Sequence, residues 1–128
     1  MMQNVLFYLP PDGGLELEVM SALKPFLTAP CRQVYCRLDD LLSRLQQPLG
    51  DISLAVFVAA THQELISILM LREFLMDLRL ILVLPDWNEG TVALGRTLYP
   101  RFMTYADGSR DEIIEVLRKC LGPGGKNL

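Results

Sequence analysis

The chain has 128 residues, enough for one ordinary domain whose core needs no disulfide or metal. Its net charge is -3 and its basic residues are scattered singly, which argues against a nucleic-acid binder. No apolar run approaches the length of a membrane span, and the N-terminus lacks the basic region of a signal peptide. The three cysteines have no framework spacing, which favours reduced thiols in a cytoplasmic protein.

The first part of the chain alternates apolar runs with helical patterns. Residues 4–9 are predicted to form a buried strand that stops at two prolines, and a helix follows from about 15 to 23. A second strand is predicted over 32–37. It is more polar than the others, so we expect it near an edge of the sheet. The next helix is predicted from about 40 to 47, behind two aspartates that favour its positive end.

The most apolar stretch of the chain is the next strand, within Asp51–His62. Its continuous run of Val, Ile, Leu, Ala and Phe is typical of a strand that is buried on both faces. Thr61 and Glu64 then have the spacing of a capping box, which predicts a helix from 61 to about 77. A fourth strand is predicted over 78–84, where a proline ends it.

The last part of the chain repeats this alternation. A turn or helix is predicted from Asp86 to Tyr99, followed by a fifth strand over 101–105. A second capping box opens a final helix over 109–121. We therefore expect one domain over 1–121 and a flexible glycine-rich tail over 122–128.

Five strands that alternate with five helices predict an α/β fold with a parallel sheet between two helical layers. For five such units the flavodoxin-like strand order 2-1-3-4-5 is expected, in a three-layer sandwich. In that order the most apolar strand, the third, is the central one. Ligands of such folds bind where the strands end, near the switch between strands 1 and 3.

Several polar and aromatic residues are predicted to lie at that edge and to form the rim of a pocket: Asp12, His62, Asp86, Trp87 and Asp107. They could hold a small ligand such as a flavin or a nucleotide, with His62 as a ligand or base. The alternative is that they cap helices and solvate loops, since Asp is common at helix N-termini. The first loop has neither the Lys and Ser/Thr of a P-loop nor the dinucleotide glycine pattern. No metal or cofactor is predicted.

The layout resembles a response-regulator receiver domain, the CheY-like fold, over nearly the whole chain. The most similar segment runs from Thr91 to Leu121, where Leu94 to Leu98, Phe102 to Tyr105 and Asp107 to Leu121 follow the receiver run of helix 4, strand 5 and helix 5. The resemblance implies an acidic pair after strand 1, a phospho-accepting Asp after strand 3, a Ser or Thr after strand 4 and a Lys after strand 5.

The chain lacks most of the residues that this pattern requires for phosphorylation. Asp12 is the only acidic residue in the loop after strand 1. Ala59 or a neighbour matches the acceptor Asp, and Tyr105 matches the Lys. Alanine cannot accept a phosphoryl group, and one carboxylate is a poor Mg²⁺ site. The sequence therefore predicts a pseudo-receiver that is not an enzyme, has no catalytic residue and acts through protein–protein interaction in signalling.

The helix predicted over 61–77 has apolar residues on all sides, whereas a surface helix should have one apolar stripe. Scattered exposed apolar residues are normal. Their contiguity here nevertheless predicts contact with a protein partner or with a second copy in a dimer. The candidate interface residues are Ile68, Leu71, Leu75 and Met76. The resemblance implies a second candidate surface, formed by helix 4, strand 5 and helix 5.

Overall fold

A computed structural model of the protein describes residues 4–9, 32–105 and 110–121. Five strands form one parallel sheet in the order β2-β1-β3-β4-β5, which confirms the flavodoxin-like, CheY-like prediction. The strands are β1 (Asn4–Tyr8), β2 (Arg32–Tyr35), β3 (Ile52–Val58), β4 (Leu80–Leu84) and β5 (Phe102–Tyr105). The helix predicted over 15–23 and the tail predicted over 122–128 lie outside the described residues.

The described residues contain five helices: α1 (Leu38–Leu45), α2 (His62–Leu69), α3 (Arg72–Leu75), α4 (Glu89–Arg96) and α5 (Arg110–Leu121). Within this part of the chain, no helix has both the length and the apolar character that crossing a membrane requires.

The central position of β3 explains its composition. It pairs with β1 on one side and β4 on the other, and helices cover both faces of the sheet. Its residues are buried apart from Ser53, which is half-buried. β2 lies at an edge and is only partly buried, as its polar sequence predicts.

The core has one layer on each face of the sheet. On one face, alternate strand residues pack against α1, α2, α3 and α4; among them are Leu6, Tyr8, Phe57, Leu82, Leu41, Leu65, Leu75 and Val92. On the other face the intervening strand residues pack against α5; among them are Val5, Phe7, Val56, Ile81, Ile113 and Leu117. This alternation places successive residues of each strand in opposite layers.

Gly95 lets α4 lie close to the sheet. A Cβ atom there would stand 2.9 Å from the Met103 sulfur and 3.0 Å from a Leu84 methyl group, closer than carbon atoms pack. The close contact holds the last turn of α4 against β4 and β5.

The predicted helix over 61–77 is two helices. α2 ends at Leu69, and α3 begins only at Arg72. In between, the Leu71 amide donates to the Ile68 carbonyl at 2.9 Å, and the Phe74 amide donates to Leu71 in the same tight manner. These three-residue hydrogen bonds turn the chain, so each helix presents its own apolar stripe to the core.

This break corrects the predicted interface. Ile68 and Leu75 are buried by the chain itself, and Leu71 is half-buried against the same core layer. They are core residues because the turn between α2 and α3 directs both stripes inwards. Of the four predicted interface residues, only Met76 is largely exposed, at 71%.

Candidate functional site

The carboxyl edge of the sheet, where the strands end, is the expected site of function in this fold. Three of the strands end there in buried residues. Leu9 follows β1, Ala59 follows β3, and Leu84 is the last residue of β4. The Ala59 amide donates to the Val83 carbonyl at 2.8 Å, and its methyl group packs in the core. The position that the receiver resemblance matches to the phospho-accepting Asp is therefore a buried apolar position.

A cluster around Glu64 closes the gap between β1 and β3. The Glu64 amide donates to the Thr61 hydroxyl at 3.1 Å, as the capping box predicts. The Glu64 carboxylate accepts from the Ala60 amide at 3.0 Å and from the Tyr8 hydroxyl at 3.3 Å. This carboxylate thus ties the end of β3 to the start of α2 and to β1, and both of its oxygens are occupied.

Tyr8 is a buried polar residue that the sequence presents only as part of an apolar strand. Burial, followed by the negative charge of Glu64 and the hydrogen bond to it, raises the pKa of the Tyr8 hydroxyl to about 12. The phenol is therefore neutral at physiological pH. It serves as a hydrogen-bond donor to Glu64 and not as an anion.

A second polar cluster joins α2 to the loop before α4. Nε2 of His62 lies 2.7 Å from Oδ2 of Asp86 and 3.2 Å from the hydroxyl of Thr91. The other oxygen of Asp86 accepts from the Asn88 amide at 3.0 Å. That amide, then the hydrogen bonds from His62 and Thr91, hold the pKa of Asp86 below its usual range. Asp86 is thus a stable anion held by three donors.

This cluster does not have the geometry of a catalytic triad. In a triad the acid binds one ring nitrogen of the histidine and the nucleophile binds the other. Here Asp86 and Thr91 both contact Nε2 of His62. Thr91 is also buried, so its hydroxyl does not face a substrate. The arrangement fixes the loop against α2.

Two aromatic side chains lie exposed at the same edge. The ring centroids of Trp87 and Tyr105 are 5.6 Å apart with a tilt of 37° between the planes. Trp87 is 48% exposed and Tyr105 is 37% exposed, so the pair offers an open aromatic surface. Tyr105 occupies the position that the resemblance matches to the receiver Lys, so this position carries no cation.

Of the predicted pocket rim, the structure brings His62 and Asp86 into contact and places Trp87 beside Tyr105. Asp12 and Asp107 lie outside the described residues. Among the described residues, no three His, Cys, Asp or Glu side chains gather as a metal site would require. The sequence does not predict that Thr91 belongs to the His62–Asp86 cluster. Its position in the first turn of α4 is the only sequence feature that could have indicated this role.

The described residues also form an open depression of about 480 Å³ at the opposite edge of the sheet, beside the start of β3. Its lining comes from the loop after α1 and from α3 with the residues after it: Gln47, Leu49, Gly50, Ile52, Phe74, Asp77 and Leu78. It is separate from the carboxyl edge, where ligands of this fold bind.

No protein-family model and no curated protein matches the chain. Two solved structures are similar to it. A response regulator from Thermotoga maritima superposes with a TM-score of 0.61 at 13% identity, covering 94% of this chain and 98% of that one. The fold is that of a receiver domain. A pilus assembly-related protein from Burkholderia pseudomallei has the same receiver-like fold, with a TM-score of 0.61 at 17% identity, covering 94% of this chain and 90% of that one.

Proposed function

We propose that the chain is a receiver-like domain that is not phosphorylated, is not an enzyme and acts in signalling by binding protein. The observation that carries this proposal is the buried Ala59 at the end of β3. Phosphoryl transfer to a receiver needs a carboxylate there, a hard cation held by further carboxylates, and a cation that neutralises the acyl phosphate. Ala59 and Tyr105 supply none of these groups.

The remaining carboxylates near this edge support the same proposal. Both oxygens of Glu64 and both oxygens of Asp86 accept hydrogen bonds from the chain itself. The two acids therefore hold the strand ends, the loop before α4 and α2 together at this edge. Within the residues that the structure describes, no three His, Cys, Asp or Glu side chains gather as a magnesium site at this edge would require.

The binding role is supported by exposed apolar side chains that the fold leaves uncovered. Met70, Met76 and Tyr99 are the most exposed of the large hydrophobic residues, at 81%, 71% and 86%. Methionine and tyrosine are enriched at protein interfaces. Self-association in a dimer is one form of this role, and the cysteine pattern supports a cytoplasmic location.

A phosphorylation assay tests the proposal. The full chain is incubated with Mg²⁺ and acetyl phosphate, or with beryllofluoride, beside an active receiver domain as the positive control. We expect no phosphoryl adduct by intact mass spectrometry and no change in melting temperature. A stoichiometric acyl phosphate would contradict the proposal outright.

The aromatic pair Trp87–Tyr105 favours a second candidate function. An exposed aromatic surface beside His62 and Asp86 could stack a flavin or a nucleobase, as the rim residues predict. The same melting assay is therefore repeated with flavin mononucleotide and with nucleotides. A saturable stabilisation that Trp87→Ala abolishes would favour this second function over the first.

A further inference from the structure

The three most exposed apolar side chains lie at the amino edge of the sheet, where the strands begin. Met70 follows α2, Met76 follows α3, and Tyr99 follows α4. We call them, together with Arg72, Arg79, Arg96 and Arg101, the amino-edge patch. All four arginines are exposed. This edge is opposite to the carboxyl edge where receivers hold their phosphoryl group.

The backbone brings the parts of the patch together. The Arg101 amide donates to the Leu80 carbonyl at 2.7 Å, which holds the turn after α4 beside the segment that leads into β4. α2 and α4 contact each other on one face of the sheet and both lead back to its amino edge. Met70 and Tyr99, which follow the C-terminal ends of these helices, therefore both lie at the amino edge.

Tyr99 is held in a conformation that its side chain disfavours. Its φ of 52° makes it the non-glycine residue with positive φ in the described part of the chain. A bulky side chain is an outlier in that region, whereas glycine adopts it without steric cost. The side chain is also 86% exposed and adds nothing to the core. The left-handed conformation ends the last turn of α4, where glycine is the usual residue, so the fold itself does not call for a large exposed aromatic side chain here.

The charge around these side chains selects the kind of partner. Segments 70–79 and 96–101 carry four arginines and two carboxylates, in a chain whose net charge is -3. Within the described residues, none of these arginines has an ion pair or a side-chain hydrogen bond. Arg96 lies in the last turn of α4, where the negative end of the helix dipole favours a cation. The dipole does not account for Arg79 and Arg101, which lie outside the helices.

We infer that the amino-edge patch binds an acidic, amphipathic segment of a partner protein. Methionine side chains adapt to apolar partners of irregular shape, and tyrosine supplies a rigid contact. The arginines would pair with carboxylates on the polar side of the segment. This inference rests on the proposed function and locates its protein-binding surface at the edge opposite to the one that receivers use for chemistry.

The test measures binding of a labelled synthetic peptide of about 18 residues, with Leu on one helical face and Glu on the other. We expect Tyr99→Gly and Arg101→Glu each to weaken binding by about tenfold or more. Tyr99→Gly should also raise the melting temperature, because it removes the strain. Loss of binding in a more stable protein cannot be attributed to unfolding.

The controls separate this inference from its alternatives. Arg118→Glu, an exposed change on α5, should leave peptide binding unchanged. Equal binding of the same peptide with Lys in place of Glu, or unchanged binding by Tyr99→Gly, would overturn the inference. Binding to phosphatidylserine vesicles instead, or a dimer that Tyr99→Gly dissociates without peptide binding, would overturn it in favour of a membrane or a second copy. An acyl phosphate in the earlier assay would overturn only the proposed function.

Discussion

In the described part of the chain, the two edges of the sheet differ in whether their polar side chains are hydrogen-bonded within the chain or exposed without such partners. At the carboxyl edge, Glu64 and Asp86 are fully engaged by donors from the chain, and the strand end at Ala59 is buried. The receiver resemblance would instead imply groups at this edge that can hold a cation and a phosphoryl group. Here the acidic side chains at this edge form hydrogen bonds that connect strands, helices and loops of the chain itself.

At the amino edge the situation is reversed. Met70, Met76 and Tyr99 are exposed, and the arginines around them have no ion pair among the described residues. These side chains add little to the core, since most of their surface is in contact with solvent. The amino edge therefore combines exposed apolar side chains with arginines, whereas the carboxyl edge exposes the aromatic pair Trp87–Tyr105.

The largest expected effect comes from placing a receiver-like acid at the carboxyl edge. Ala59→Asp buries a carboxylate among core side chains with no cation beside it. We expect the free energy of unfolding to fall by about 3–5 kcal/mol, measured by urea denaturation, because an uncompensated buried charge is costly. We also expect beryllofluoride not to restore the loss.

The matched control is Gln63→Asp, which adds a carboxylate in the exposed first turn of α2. The positive end of the helix favours an anion there, so stability should stay within about 0.5 kcal/mol of the parent. If Ala59→Asp were as harmless as Gln63→Asp, the carboxyl edge would be open to solvent and the comparison of the two edges would fail.

The next effect separates core from surface near the amino edge. Leu75 and Met76 are neighbours, but Leu75 is buried and Met76 is exposed. Leu75→Ala should lower the free energy of unfolding by about 3 kcal/mol, since it leaves a cavity. Met76→Ala should change it by less than about 0.5 kcal/mol. Similar losses in both variants, measured by urea denaturation, would contradict the placement of α3.

Much of the fold follows from sequence patterns alone. The continuous apolar run of β3 predicts a central strand, the polar β2 predicts an edge strand, and Thr61 with Glu64 predicts the start of α2. These features are local, and each depends on side-chain periodicity or on a cap. The strand order then follows from the alternation of strands and helices.

The errors and omissions arose where distant residues decide the outcome. The turn between α2 and α3 contains neither proline nor glycine, so the run from 61 to 77 looked like one helix. Packing against the core breaks it. Tyr8 and Glu64 are 56 residues apart, so their hydrogen bond has no sequence signature. Where an apolar residue points could be determined only from the three-dimensional fold.

The smallest expected effect concerns the hydrogen bond between Tyr8 and Glu64 at the carboxyl edge, and it is measured as a change of stability with pH. The pKa of Tyr8 is about 12 in the folded protein against an ordinary value of 10.0. Between these values the unfolded chain loses the phenol proton while the folded chain keeps it. The stability that the neutral phenol contributes is therefore complete below pH 10 and is lost as pH rises towards 12. Tyr8→Phe should cost about 1 kcal/mol at neutral pH, because Glu64 loses a donor, and should remove this alkaline decline.

Glu64→Gln sharpens the same experiment. The substitution removes the negative charge that is the second cause of the raised pKa, but leaves the burial that is the first. Urea denaturation at several pH values from 9 to 12 should therefore show a narrower alkaline decline in Glu64→Gln than in the parent, and none from this group in Tyr8→Phe. An identical decline in all three proteins would mean that Tyr8 is not buried against Glu64. The carboxyl edge would then lack the Tyr8–Glu64 hydrogen bond, which is one of the contacts that distinguish it from the amino edge.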